Sequence, residues 1–186
     1  MPLAIITGAN TGLGFETARG LLGLGYGVVI TSRDLERGDK AVARLRTEYP
    51  EGEISTLALD LANQSSVKAF APRFAQAHKK WDVLVLNAGA KVLSSYQETD
   101  SGIEYHFGVN AVGHFALVAD LLALRAPVAR WFPSHQLSPG SHQVSLVRQD
   151  QLWLIRPVQA TRQASFPIIY SPWRCKADSV QTHLAL

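Results

Sequence analysis

Cysteine is almost absent. Cys175 stands alone, so no disulfide can form within the chain and no CxxC zinc site exists. Charge of one sign is also scarce: the formal net charge is +3 at pH 7, too mild for a nucleic-acid stripe or a membrane-binding patch. His78-Lys79-Lys80 reads as a solvated helix end, and no nucleic-acid motif is present. No uninterrupted apolar run approaches the ~18–20 residues of a membrane span, so none is expected. The chain opens with Met1-Pro2 and enters Leu3-Ala4-Ile5-Ile6 directly, so no basic leader is expected and a reducing, cytoplasmic setting is the default. Glutamate disappears after residue 130, and only one glycine, Gly140, lies beyond it.

What remains divides into two parts. Residues 1–130 alternate apolar strands with amphipathic helices. Leu3–Thr7 is a short apolar run bounded by Gly8, as a buried parallel strand should be. A helix is predicted over Gly12–Leu24 and closed by Gly25-Tyr26-Gly27. Val28–Thr31 is a β-branched strand. Leu35–Glu48 is an amphipathic helix carrying Ala41, Val42 and Leu45 on one face and stopped by Pro50. A third strand runs from Ile54 to Leu59, a helix from Ser65 to Ala77, a fourth strand from Asp82 to Leu86, and a long helical region from Asp100 to Arg125. Strands alternating with helices imply βαβ units, right-handed crossovers and a parallel sheet. Residues 131–186 break this pattern: seven of the ten glutamines and five of the nine prolines lie there, and no sustained period survives.

Thr7-Gly8-Ala9-Asn10-Thr11-Gly12-Leu13-Gly14 leaves the first strand and opens the first helix. In that context a glycine pattern becomes a phosphate-binding expectation. Gly8 permits a tight turn, Gly12 removes a side chain where backbone must approach a diphosphate, and Gly14 lets the helix pack closely on the sheet. Free N–H groups and the helix dipole then face the anion. Asn10, Thr11 and Leu13 complete the loop, with Asn10 and Thr11 suited to turn hydrogen bonds and contacts to phosphate or ribose.

The spacing Gly-x3-Gly-x-Gly after threonine resembles the short-chain dehydrogenase/reductase family. Three further matches follow in order: Asp60-Leu61 after the third strand, Asn87-Ala88-Gly89 after the fourth, and Gly102-Ile103-Glu104-Tyr105-His106-Phe107-Gly108-Val109-Asn110 continuing to Phe115. Leu86 stands where the family motif has a first asparagine. The wording of the last segment is close to the retinol-dehydrogenase-like and protochlorophyllide-reductase-like branch. The resemblance covers roughly residues 2–130. It implies a Rossmann-type doubly wound α/β domain that binds NAD(P) through Gly8, Asn10, Thr11, Gly12, Leu13, Gly14, Arg33, Asp60, Leu61, Asn87, Ala88 and Gly89. It also implies an active-site role for Asn110 and a small-molecule carbonyl or alcohol substrate. Arg33, near the end of the second strand, favours NADP through charge-assisted bonds to a 2′-phosphate, whereas Asp34 beside it could instead select NAD. His106 and His114 read as packed or surface groups, and Tyr96 and Tyr105 as packing residues. The oligomeric state is left open.

The resemblance also exposes gaps. Family members carry a serine and a Tyr-x-x-x-Lys pair that move the proton at the substrate oxygen. Here Tyr170 and Lys176, the only tyrosine and lysine beyond residue 130, are six apart with Pro172 between them. One helical face needs a spacing of three or four, and proline breaks the helix. The family's fifth strand is likewise expected to be missing, so that the sheet is truncated after its fourth strand and followed by an irregular C-terminal tail. Ala126–Arg130 approaches that strand and Trp131-Phe132-Pro133-Ser134-His135-Gln136 departs from it. Codons for those six residues, read one nucleotide earlier, permit Val-Val-Ser-Val-Ser-Ser, the expected strand with its serines. The expected organisation is therefore an incomplete nucleotide-binding domain, 1–130, and an atypical tail, 131–186, read out of frame, poorly ordered or irregularly packed. Loss of cover on one sheet face is the anticipated consequence.

Overall fold

The computed structural model describes residues 1–90, 95–133, 144–149 and 152–157. Four apolar runs form strands β1 (Leu3–Ile6), β2 (Gly27–Ser32), β3 (Ile54–Ala58) and β4 (Trp81–Leu86). Alternate side chains of a strand point to opposite faces, so a run that is apolar throughout needs cover on both. Neighbours Ile5 and Ile6 are both fully buried, on opposite sides of the sheet. Helices α1 (Gly12–Gly23) and α2 (Leu35–Glu48) cover one face through Phe15, Leu21, Val42 and Leu45. Helices α3 (Gln64–Ala77) and α4 (Tyr105–Leu124) cover the other through Phe70, Phe74, Leu117 and Leu121.

All pairings in this sheet are parallel and its order is β3-β2-β1-β4-β5. The chain builds outward from β1 to β3 and then returns to the other side of β1. That reversal opens a crevice beyond the carboxyl ends of β1 and β4, where ligands bind in sheets of this kind. Helix boundaries follow local chemistry. The Asp34 side chain accepts from the Arg37 N–H and caps α2, and Asn63 does the same for α3 through Ser66.

Three sequence expectations change. The sheet does not stop at the fourth strand: β5 (Arg125–Pro133) pairs with β4, setting Trp131 opposite Leu84 and Phe132 opposite Val85. Ladder hydrogen bonds are made by backbone, so the departure of these side chains from the family's pattern does not prevent pairing. The register shifts between Trp81 and Val83, which lets the ladder skip residues that include Pro127, a residue with no N–H to give. The tail is not irregular throughout, because Val144–Gln149 (β6) and Leu152–Pro157 (β7) form an antiparallel pair. Finally, α4 is long and apolar enough to cross a membrane by length and composition, with a mean hydropathy of 1.6. Histidines, glycines and Asn110 interrupt its apolar run but add no charge, and Asp120 is its one acidic residue. A core helix has the same composition, and a third of its most apolar stretch is buried here.

Among the described residues β1 and β2 are buried on both faces, whereas β5 keeps little cover and leaves Val128 and Trp131 in solvent. Exposed large apolar side chains on α4 include Phe107 and Phe115. Tyr170, Cys175 and Lys176 lie outside the described residues.

Candidate nucleotide site

The predicted residues of the first motif meet at the carboxyl end of β1. Gly8 and Gly12 both adopt φ +62°, the left-handed region that side chains with a Cβ avoid. A Cβ on Gly12 would meet nothing within 4 Å, so its backbone faces open space. The reverse holds at Gly14, where a Cβ would lie 2.9 Å from both Ala9 Cα and the Gly8 carbonyl oxygen and would collide with the Asn87 amide. Gly14 is therefore a close-packing glycine and Gly12 an open-backbone one, the division of labour expected of a diphosphate loop. Helix α1 starts at Gly12 behind Thr11, whose side chain makes no capping bond, and its first turn carries no acidic residue. The first amides of α1 are left to an external acceptor, in contrast to those of α2 and α3.

Thr7 and Asn87 lock this turn to β4. Asn87 donates from Nδ2 to the carbonyls of Thr7 (2.9 Å) and Gly8 (3.0 Å). Thr7 Oγ1 accepts from the Ala88 N–H at 2.9 Å. Two strand ends are thus held at fixed separation around the crevice. Gly89 is exposed at its rim, and a Cβ there would lie 3.6 Å from Asn110 Oδ1.

Helix α4 closes the far side. Gly108–Gly113 forms a π-helical segment, a wider turn that recurs at functional sites, and Asn110 lies inside it. Gly113 permits close approach: a Cβ there would lie 3.0 Å from Leu61 Cβ. Asn110 Oδ1 accepts the Ala90 N–H at 2.8 Å, tying α4 to the chain leaving β4. His114, 3% exposed, contacts the Asn110 carbonyl through Nδ1 (3.1 Å) and Thr7 Oγ1 through Nε2 (3.0 Å).

The remaining predicted residues line the ends of β2 and β3. Asp60 Oδ1 accepts from the Ala62 N–H (3.0 Å) and its own N–H donates to Ser66 Oγ (3.0 Å), which shapes the turn after β3. Leu61 is buried in the core beneath α4. Arg33 and Asp34 separate cleanly. Asp34 faces α2, accepting from the Arg37 N–H (3.3 Å) and pairing with Arg37 Nε (3.3 Å). Arg33 is exposed and donates from Nη1 to the Tyr105 hydroxyl at 3.0 Å. Among the described residues no carboxylate pairs with Arg33.

At the start of α4, Glu104 accepts from the N–H groups of His106 and Phe107 and from the His106 ring. These bonds, the backbone one from Phe107 first, pull its carboxyl down to about 2 from an ordinary 4.5. Glu104 thereby fixes the first turn that carries Tyr105.

The structure therefore brings together Gly8, Asn10, Thr11, Gly12, Leu13 and Gly14 with Asn87, Ala88, Gly89 and Asn110, and places Arg33 and Asp60-Leu61 at the neighbouring strand ends. Sequence reasoning underrated Thr7, His114 and Tyr105. The signal for His114 was its position four residues after Asn110, one helical turn on.

Comparison with known proteins agrees with this geometry. The family model described as short chain dehydrogenase matches residues 2–126. Retinol dehydrogenase 12 of Mus musculus is 42% identical over 120 residues, 64% of this chain and 38% of the relative. Polyprenol dehydrogenase of Mus musculus is 42% identical over 140 residues, 75% of this chain and 42% of the relative. The chain thus matches about two-fifths of the length of these curated relatives. Among solved structures, Pseudomonas aeruginosa RhlG in an NADP active-site complex superposes with a TM-score of 0.56 at 30% identity, covering 66% of this chain and 47% of that one. An alcohol dehydrogenase from Thermococcus sibiricus, complexed with 5-hydroxy-NADP, gives 0.55 at 29% identity, covering 67% and 53%.

Proposed function

The chain belongs to the short chain dehydrogenase family, and on that footing we propose that it holds NADP(H) at the carboxyl edge of its sheet as the binding half of an oxidoreductase for an alcohol/carbonyl pair. The carrying observation is the Gly12 backbone, open to solvent at the uncapped start of α1. The residues fit the cofactor. The Gly8–Gly14 turn suits a diphosphate, Asp60 and Leu61 stand where the family borders the adenine ring, and Asn87–Gly89 border the crevice. When bound, the nicotinamide supplies or accepts the hydride. The protein's own part is to present amides to the diphosphate and to hold β1, β4 and α4 rigidly around it through Thr7, Asn87 and Asn110.

The preference for NADP rests on the opposite fates of Arg33 and Asp34. Asp34 is engaged by α2 and Arg37, whereas Arg33 keeps an exposed charge that no carboxylate among the described residues pairs with. A guanidinium in that state suits a 2′-phosphate. The RhlG structure, bound to NADP, supports the same choice. The names of the curated relatives, retinol and polyprenol dehydrogenases, point to a lipophilic alcohol or aldehyde as substrate class. Calorimetry with NADPH and NADH tests the reading. Tighter binding of NADPH is expected, and absence of binding by both at millimolar concentration would end it.

A second reading concerns turnover. The chain carries no Tyr-x-x-x-Lys, since Tyr170 and Lys176 are six apart. By itself it then binds nucleotide without reducing a carbonyl. We propose that residues 131–186 are read out of frame, through an error in the gene sequence or its reading, a missed intron or a real frameshift. The coding nucleotides around Arg130 decide it: an alternative frame should restore a β-branched strand with its serines and a Tyr-x-x-x-Lys, and a frame that restores neither sinks the idea.

A further inference from the structure

Arg33, just past β2, and Tyr105, at the start of α4, are 72 residues apart in sequence, yet Arg33 Nη1 donates to the Tyr105 hydroxyl at 3.0 Å. We infer that Tyr105 is a positioning residue that sets nucleotide preference by holding the Arg33 guanidinium ready for a 2′-phosphate. The inference rests on the reading of this site as one for NADP(H).

The two partners differ in rigidity, and that difference gives the contact its direction. Tyr105 is half-buried against the core cluster beneath α4. Its N–H donates to the Gln97 carbonyl at 2.9 Å, and the turn it begins is capped by Glu104. Arg33 is exposed, on a long side chain that loses much rotamer freedom when fixed. A fixed phenol therefore orders a mobile guanidinium, and ordering before binding lowers the cost of binding.

The contact also leaves the chemistry needed for a dianion intact. A guanidinium has five N–H donors in a plane, so one bond to tyrosine leaves a donor fork for phosphate oxygens. The phenol oxygen accepts from Arg33, so Tyr105 acts on the phosphate only through the guanidinium it holds. Asp34, the residue that could neutralise Arg33 or repel the phosphate, is turned toward Arg37. A ribose 2′-hydroxyl carries no charge and gains far less from this arrangement.

The experiment compares 2′,5′-ADP with 5′-AMP, which differ by the 2′-phosphate, and NADPH with NADH. Titration calorimetry is done on the full chain and on Tyr105→Phe, Arg33→Ala and the double variant. Phenylalanine keeps the packing and removes only the hydroxyl. Tyr105→Phe is expected to weaken 2′,5′-ADP and NADPH by roughly 3–10-fold while leaving 5′-AMP and NADH within about twofold. On the Arg33→Ala background the Tyr105→Phe change should have no further effect, as expected for residues acting through one contact. Equal weakening of phosphorylated and unphosphorylated ligands would overturn the inference, because a purely structural tyrosine gives that result. Persistence of the effect without Arg33 would overturn it too. If the parent chain binds none of the four ligands, the nucleotide reading falls and takes this one with it. If it binds all four without preference, only the 2′-phosphate assignment fails.

Discussion

The imidazole of His114 stands between Thr7 and the Asn110 carbonyl, with Nε2 3.0 Å from Thr7 Oγ1 and Nδ1 3.1 Å from the carbonyl oxygen. A carbonyl only accepts, so Nδ1 carries a proton; in the neutral tautomer Nε2 then accepts from the Thr7 hydroxyl, a shorter contact than that hydroxyl makes with the Val85 carbonyl (3.4 Å). Thr7 in turn accepts the Ala88 N–H. One buried chain of hydrogen bonds therefore couples the end of β1, the end of β4 and the π turn of α4. Replacing His114 by Phe keeps a ring in place but removes the bonds it makes to the Thr7 hydroxyl and the Asn110 carbonyl. The expected loss is roughly 1–3 kcal/mol of stability in chemical denaturation. Nitrogen NMR of the parent protein should show a single neutral tautomer protonated at Nδ1. An equal tautomer mixture would contradict the assignment.

Gly12 separates binding from folding. Its φ of +62° makes Gly12→Ala cost roughly 1–2 kcal/mol, since no neighbour lies within 4 Å of the added methyl. That methyl projects into the open space assigned to the diphosphate. NADPH affinity is expected to fall roughly tenfold or more while the circular dichroism spectrum is retained. Unchanged affinity would remove Gly12 from the site.

Asn87 is expected to act on both counts. Its amide holds the Thr7 and Gly8 carbonyls, and truncation to alanine releases both from their partner. A destabilisation of roughly 1–3 kcal/mol is expected, together with weaker NADPH binding because the turn is no longer pinned to β4. Thermal unfolding with and without NADPH measures both, since a ligand that binds only the native state raises the midpoint. A variant as stable as its parent and equally shifted by NADPH would show that the turn holds itself.

Acid should loosen the start of α4. Glu104 has a folded pKa of about 2 against an ordinary 4.5, set first by the Phe107 N–H. A depressed carboxylate contributes stability above the unfolded value and loses it as pH falls through the folded one. The amides of His106 and Phe107 should therefore be protected at neutral pH and lose protection between about 4.5 and 2. Glu104→Gln should flatten that dependence. Persistence of the same transition in the glutamine variant would assign it to another group.

The half of the chain that builds the sheet was legible because its signals are local. Apolar runs of strand length, the glycines of one turn and the Asp34 cap each act within a few residues, so β1 to β4 and α1 to α3 follow from the order of side chains along the chain. The Gly8–Gly14 turn could be read for the same reason. Strand β5 was missed because its pairing depends on β4 and on a register shift that skips Pro127, neither of which is visible in its own residues.

The sequence by itself determined which segments become strands and helices and where a diphosphate-sized turn lies, because period and backbone freedom are properties of neighbouring residues. Only the tertiary structure decided which of Arg33 and Asp34 faces the crevice, that Tyr105 meets the arginine, and that His114 joins Thr7 to Asn110. Those outcomes join residues as many as 107 positions apart, and a hydrogen bond of that reach exists only once the packed sheet has brought its ends together.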